Sequence, residues 1–267
     1  MTFLRLVPAA LLMACGTAEP VPTPGASPFT GRLIDLTHAY DSSTIYWPTA
    51  PGFELAVDFA GETEGGWHYE ANTFRSAEHG GTHLDAPNHF ATGKRSADRI
   101  PLEQLVAPGI VIDVTAASEA DADYVVSRED FARWEQAHGA IPEGVIVLLR
   151  TGFARRWPDR VRYMGTDERG PAAVAKLHFP GLDPAAAEWL VAERRIAAIG
   201  IDTPSIDRGQ STDFLAHRIL FARDIPAFEN VGDMAALPAK GFHVLALPMK
   251  IAGGSGGPLR IVAVVPQ

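Results

Sequence analysis

With 267 residues, 46% of them hydrophobic and 21% charged, the chain can bury a large core as one large domain or two small ones. A formal net charge of -9 at pH 7 disfavours nucleic acid and anionic membrane surfaces as partners. No interior run approaches the roughly eighteen apolar residues of a membrane span, which argues against a membrane-spanning body.

The opening stretch, MTFLRLVPAALLMAC, carries one positive charge at Arg5, then an apolar run ending in small residues before Cys15. It reads as a bacterial lipoprotein signal with LMAC as the lipobox. On that reading residues 1–14 are removed, and Cys15 is lipidated and anchors the protein to a membrane of the bacterial envelope. The following GTAEPVPTPGASP reads as a flexible tether over residues 15–30. Cys15 is the chain's one cysteine, so the body over 31–267 has neither disulfides nor thiolate metal ligands.

Past the tether, short apolar runs rich in β-branched residues predict buried strands at Leu33–Tyr40, Gly109–Thr115, Gly144–Gly152, Ile196–Thr203, Phe242–Pro248 and Leu259–Val265. Two segments read as helices. SREDFARWEQAHG has Ser127 and Asp130 in capping-box positions, sets Phe131 and Trp134 on one face, and stops at Gly139. DPAAAEWLVAERR has Asp183 as cap and Pro184 at the first helical position. Strands outnumber helices, which predicts a mixed α/β domain in place of strict βαβ alternation.

The segment EHGGTHLDAPNHF, Glu78 to Phe90, crowds three of the nine histidines and a carboxylate together: His79, His83, Asp85 and His89. In an extended chain alternate side chains share a side, so these four odd-numbered positions would converge. Gly80 and Gly81 let the backbone bend, and Pro87 stiffens the exit. Imidazoles converging with a carboxylate suit Zn²⁺ or Mn²⁺. A competing motif, GGSGG at Gly253–Gly257, satisfies the G-x-S-x-G pattern of a nucleophile elbow. An elbow needs a helix after it, with Asp and His further along. Here Pro258 and the strand-like LRIVAVV follow, and the remaining residues hold neither Asp nor His. Ser255 is therefore not expected to act as a nucleophile, and its segment is expected to form a flexible backbone loop near the pocket.

His79-x-Gly81-Thr82-His83-x-Asp85-x-Pro87-x-His89 matches every position of the HxGTHxDxPxH signature. From Leu33 to Val265 the chain resembles the cyclase superfamily, which includes bacterial kynurenine formamidases and isatin hydrolases. The resemblance implies the family's swivelling β/β/α domain, a homodimer or larger oligomer, and one or two divalent ions, Mn or Zn. It implies that His79, His83 and Asp85 are metal ligands and that His89 moves protons. It adds His217 of DFLAHRILF and Glu229 of PAFENVGD as further ligands, at the family's separation of twelve positions. Trp47 of IYWP matches a Trp-Pro pair that lines the formamidase pocket; Trp67 of GGWHY is a rival wall, and Phe90 of NHF a further aromatic.

The implied activity is metal-dependent hydrolysis of an amide C–N bond in a small aromatic substrate. A bound cation would acidify water and polarise the substrate carbonyl, and His89, spared from ligation, would carry the proton. Ring opening of a cyclic aryl amide such as isatin is favoured over deformylation of N-formylkynurenine. Formylkynurenine's charged tail would need polar partners, whereas the candidate pocket segments are rich in flat rings. A non-catalytic exported metal- or solute-binding lipoprotein is the rival from another class, and a ring-closing cyclase a second.

Overall fold

Each of the six apolar runs contains a strand, and together these strands frame one sheet. The structure, a computed structural model, describes residues 31–266. The signal and tether expected over 1–30, Cys15 included, lie outside the described residues. In chain order the strands are β1 Arg32–Asp35, β2 Glu54–Glu62, β3 His68–Arg75, β4 His83–Asp85, β5 Val106–Asp113, β6 Val125–Val126, β7 Ile146–Arg150, β8 Gly181–Leu182, β9 Ala198–Ile201, β10 Ala227–Glu229, β11 Lys240–Pro248 and β12 Gly256–Val265. Eight form a mixed sheet in the order β1-β12-β11-β5-β7-β9-β10-β4, and β4 pairs again with the start of β12, so the sheet closes on itself. The run from β5 through β7 and β9 to β10 is parallel, and the other pairings in this sheet are antiparallel.

The β7 sequence explains the layering. Ile146, Val147, Leu148 and Leu149 are all fully buried, as a strand covered on both faces requires. Val147 and Leu149 join Phe131 and Trp134 of the helix Arg128–His138, and Ala186 and Trp189 of the helix Pro184–Trp189, in one core. Ile146 and Leu148 turn to the other face and meet Leu84, Phe228, Val244 and Ile261 in a second core.

Both expected helices form. The Ser127–Asp130 capping box is present, with the Ser127 amide donating to Asp130 at 2.7 Å, and Gly139 ends the helix at φ 86°. Asp183 accepts from the Ala185 amide at 3.0 Å, and a π-helical turn over Leu190–Arg194 follows that helix.

Two features depart from expectation. The first strand stops at Asp35, whose carboxylate accepts from the Thr37 amide and pairs with Arg260, so the chain turns well before Tyr40. The hairpin β2–β3 was not foreseen. Its alternation of apolar and polar residues has no buried face in this chain: Leu55, Val57, Phe59, Trp67, Tyr69 and Phe74 are all exposed.

Candidate metal centre

The site starts from β4, three buried residues between two partners. On one side β10 pairs antiparallel with Glu229 opposite His83 and Ala227 opposite Asp85. Leu84 and Phe228, at the intervening positions, point into the core, so His83 and Asp85 share the other face with Glu229. On the other side Gly256, Gly257 and Pro258 face Asp85, Leu84 and His83. A Cβ on Gly256 would stand 2.6 Å from His79 Cε1, so glycine there makes room for the imidazole.

The chain is extended only from His83 to Asp85, so the odd-position alignment accounts for those two side chains alone. Gly81, at φ 59°, bends the backbone before the strand. Pro87–His89 is a 3₁₀ turn whose His89 amide donates to the Ala86 carbonyl at 2.9 Å. The turn still brings His89 back: its ring stacks on His79 with centroids 3.8 Å apart.

His217 arrives on the helix Leu215–Phe221, with Nε2 3.0 Å from Glu229 Oε1 and 3.2 Å from Asp85 Oδ2. His83 Nε2 lies 3.0 Å from Asp85 Oδ1 and 3.5 Å from Glu229 Oε2. His79 reaches Asp85 Oδ1 with Nδ1 at 2.6 Å. All five expected ligands therefore meet in one cluster, with His89 against it.

The imidazoles are oriented from behind. His83 Nδ1 donates to the Gly81 carbonyl at 2.9 Å, which turns Nε2 toward the carboxylates. His217 Nδ1 is 2.5 Å from Asp207, and Asp207 also accepts from the Ala216 and His217 amides. Such carboxylate–imidazole pairs commonly orient metal-binding histidines. Asn230 locks the loop, donating to the Gly81 carbonyl at 2.7 Å while accepting from the Tyr163 hydroxyl at 2.9 Å. Neither Asp207 nor Asn230 was expected. Asp207 lies ten positions before His217 in a polar loop segment with no periodicity to mark it.

Charge in this cluster is unbalanced without cations. Burial, reinforced by repulsion from Asp85, raises the pKa of Glu229. Burial acts on Asp85 in the same direction, but His79 and His83 outweigh it and hold Asp85 well below the carboxylate range. Burial disfavours charge on His217, yet its bonds with Asp207, Asp85 and Glu229 raise its pKa well above the usual value. The carboxylates thus draw positive charge into a dry site, a role that a divalent cation would take over from imidazole protons. His83 Nε2 is buried with no hydrogen-bond partner, and it shares with Asp85 and Glu229 a set of donor atoms within 4.8 Å of one another. The residues fit a divalent metal. Asp85 also belongs to a second such set with His79 and His89.

Burial, against the pull of Asp85, pushes the pKa of His89 down to about 4, so the ring is neutral near pH 7. The cluster floors a cavity of about 310 Å³ lined on its apolar side by Trp47, Phe90 and Phe214. Trp67 is a correction. It is 63% exposed at the end of the hairpin, outside the cavity lining, because the turn closed by Thr63 and Trp67 carries it into solvent. Ser255 does touch the cluster: its Oγ is 2.8 Å from His79 Nε2 and 2.6 Å from Glu78 Oε2. His79 and Asp85 thus stand behind this serine although they precede it in sequence. Ser255 is nevertheless outside the cavity lining.

The family profile described as "Putative cyclase" matches residues 34–208. Isatin hydrolase from Roseibium aggregatum is 32% identical over 247 residues, 85% of this chain and 91% of that protein. Kynurenine formamidase from Salinibacter ruber is 27% identical over 86% of this chain and 96% of its own. A crystal structure of an isatin hydrolase bound to the product analogue thioisatinate matches with a TM-score of 0.77 at 31% identity, covering 88% of this chain and 92% of that one.

A graded loss of metal across three variants is the expected outcome. His83→Ala removes a buried donor and should empty the site. Asp207→Asn leaves the donors and loosens His217, which should weaken metal about 10–100-fold. His89→Ala should keep most of the metal while losing turnover. Metal analysis of the purified variants checks this, and a loss in His89→Ala equal to that in His83→Ala makes His89 a ligand.

Proposed function

The chain belongs to this cyclase family, and on that premise we propose that it is a divalent-metal-dependent amidohydrolase that opens the ring of a small cyclic aryl amide of the isatin type. One observation carries the reading. The cavity has a floor of His, Asp and Glu, walls of flat aromatic rings, and no lysine or arginine among its lining residues. A planar neutral amide suits such walls, whereas the charged tail of formylkynurenine would lack a cationic partner. The relative bound to thioisatinate supports the same substrate class.

His79, His83, Asp85, His217 and Glu229 would hold the metal, Mn or Zn by their nitrogen and oxygen donors. Such an ion supplies Lewis-acid polarisation of the carbonyl and a more acidic water. His89, stacked on His79 at the edge of the cluster, would take the proton of a water attacking the amide carbon and return it to the nitrogen as the C–N bond breaks. The Phe90 ring, 4.8 Å from His217, lines the apolar side beside the metal-binding residues.

We extend the proposal to assembly and location. The exposed β2–β3 hairpin, a form barely stable alone in water, would pack against a second copy of the chain. It is acidic, with Glu54, Asp58, Glu62, Glu64 and Glu70 against Arg75. The stretch 155–176 is rich in arginine, and there Arg160 and Arg169 donate to the carbonyls of Tyr46 and Ala50 beside the hairpin's root. A twofold axis near that root would lay each acidic hairpin along the partner's basic stretch. The LMAC box and tether support export and lipidation at Cys15.

Three outcomes are expected. Light scattering should show a dimer that Leu55→Glu with Val57→Glu dissociates; a monomeric parent protein at micromolar concentration would count against the hairpin interface. Mass spectrometry of native protein should find an acylated N-terminus at Cys15, and intact Met1 in a soluble fraction would remove the anchor. Isatin should be hydrolysed with a higher kcat/KM than N-formylkynurenine. A formylkynurenine value more than about tenfold above that for isatin would reverse the substrate assignment and leave the hydrolase.

A further inference from the structure

Phe214 bears a backbone cost that its place in the fold does not require of a phenylalanine. It lies in the left-handed region, φ 50° and ψ 44°, which penalises any residue with a Cβ and is most unusual for a bulky one. Among the described residues Arg195, Asp224 and Asn230 are the other non-glycine cases. Asp224 and Asn230 are of types that tolerate this conformation, and Arg195 is an exposed residue closing a helical segment.

The local backbone needs the conformation but not the ring. The Phe214 amide donates to Ser211 Oγ at 3.1 Å, and its carbonyl accepts from the Arg218 amide at 3.1 Å, which starts the helix that carries His217. Glycine would make both bonds without penalty. Only the side chain distinguishes phenylalanine here, and that ring lines the cavity. Its centroid is 5.3 Å from Phe90, tilted by 34°, 6.3 Å from Trp47 and 6.3 Å from His217. Strained residues held by their surroundings cluster at ligand clamps.

We infer that Phe214 is a specificity-determining residue: its ring, projected over the cavity by a left-handed backbone, forms with Trp47 and Phe90 a clamp that selects a flat aryl ring over a saturated one. The inference deepens the substrate class and rests on the reading of the cavity as the hydrolytic site. The three rings meet through Phe214 and would press on one face of the aryl ring while the His, Asp and Glu floor meets its polar edge. Planarity is thereby read apart from the amide chemistry.

Two measurements on the full chain, purified with Mn²⁺, test it without relying on turnover. Calorimetry compares benzoate with cyclohexanecarboxylate, carboxylates of similar size that differ in planarity. The parent protein should prefer benzoate. Phe214→Ala should weaken benzoate roughly three- to tenfold while changing cyclohexanecarboxylate less than about twofold. Equal losses for both, or no preference in the parent protein, would overturn the clamp. Thermal melting then compares Phe214→Gly with Phe214→Ala, both of which lack the ring. The glycine variant should melt roughly 2–5 °C higher, against the usual order, because it alone escapes the left-handed penalty. A higher Tm for alanine would overturn the strained-backbone account. If the parent protein leaves isatin intact yet keeps a benzoate preference that Phe214→Ala abolishes, the clamp stands and the isatin-type activity falls.

Discussion

The pairing of two three-residue strands holds this site together. Glu229 stands opposite His83 because β10 runs antiparallel to β4 in one register, and a slip of β10 by one residue would send Glu229 to the face opposite His83. The register is fixed by what points the other way: Leu84 and Phe228, both fully buried, lock into the core. Ala227 opposite Asp85 and the glycines of β12 leave space on the working face. Residues far apart in the chain thus become neighbours through backbone hydrogen bonds and apolar burial, and the polar cluster is a by-product of that packing.

Burying the cluster is costly. Asp85 and Glu229, almost inaccessible to solvent, would repel each other and forfeit hydration if nothing positive lay between them. Asp85 and Glu229 draw the pKa of His83 and His217 upward against the cost of burying a charged imidazole. A divalent cation resolves the same imbalance with the rings neutral and their lone pairs engaged. Asp207 follows the same logic, since a carboxylate behind His217 offsets charge on that ring and fixes which nitrogen faces inward.

Much of this was legible in the sequence, unevenly and for physical reasons. The apolar runs marked the central strands because both faces of β7 and β9 are covered, which forces continuous hydrophobicity. His83 and Asp85 were legible from alternation, because there the chain is a strand. His89 was placed near the cluster for a reason that fails, since a turn and not an extended chain returns it. His217 and Glu229 were found by family spacing; nothing in their local pattern separates them from core residues. Trp67 was misplaced because tryptophan in an alternating segment looks the same whether its face meets a cavity or open solvent. Phe214 was invisible, because its value lies in a backbone angle that composition and periodicity do not encode.

The cavity divides its labour between surfaces of opposite chemistry. Hydrogen-bonded His, Asp and Glu side chains of fixed orientation form the floor, a donor set suited to a cation. Trp47, Phe90 and Phe214 form the other side, where selectivity would rest on shape and stacking. Phe90 joins the two, following His89 directly in the chain while lying between Phe214 and His217 in space. A ring held against Phe90 is therefore held at a set height over His217 and beside His89. Because one turn, Pro87–His89, positions both the imidazole proposed to carry the proton and the apolar wall that follows it, substrate orientation and proton transfer would be coupled through a few residues of backbone.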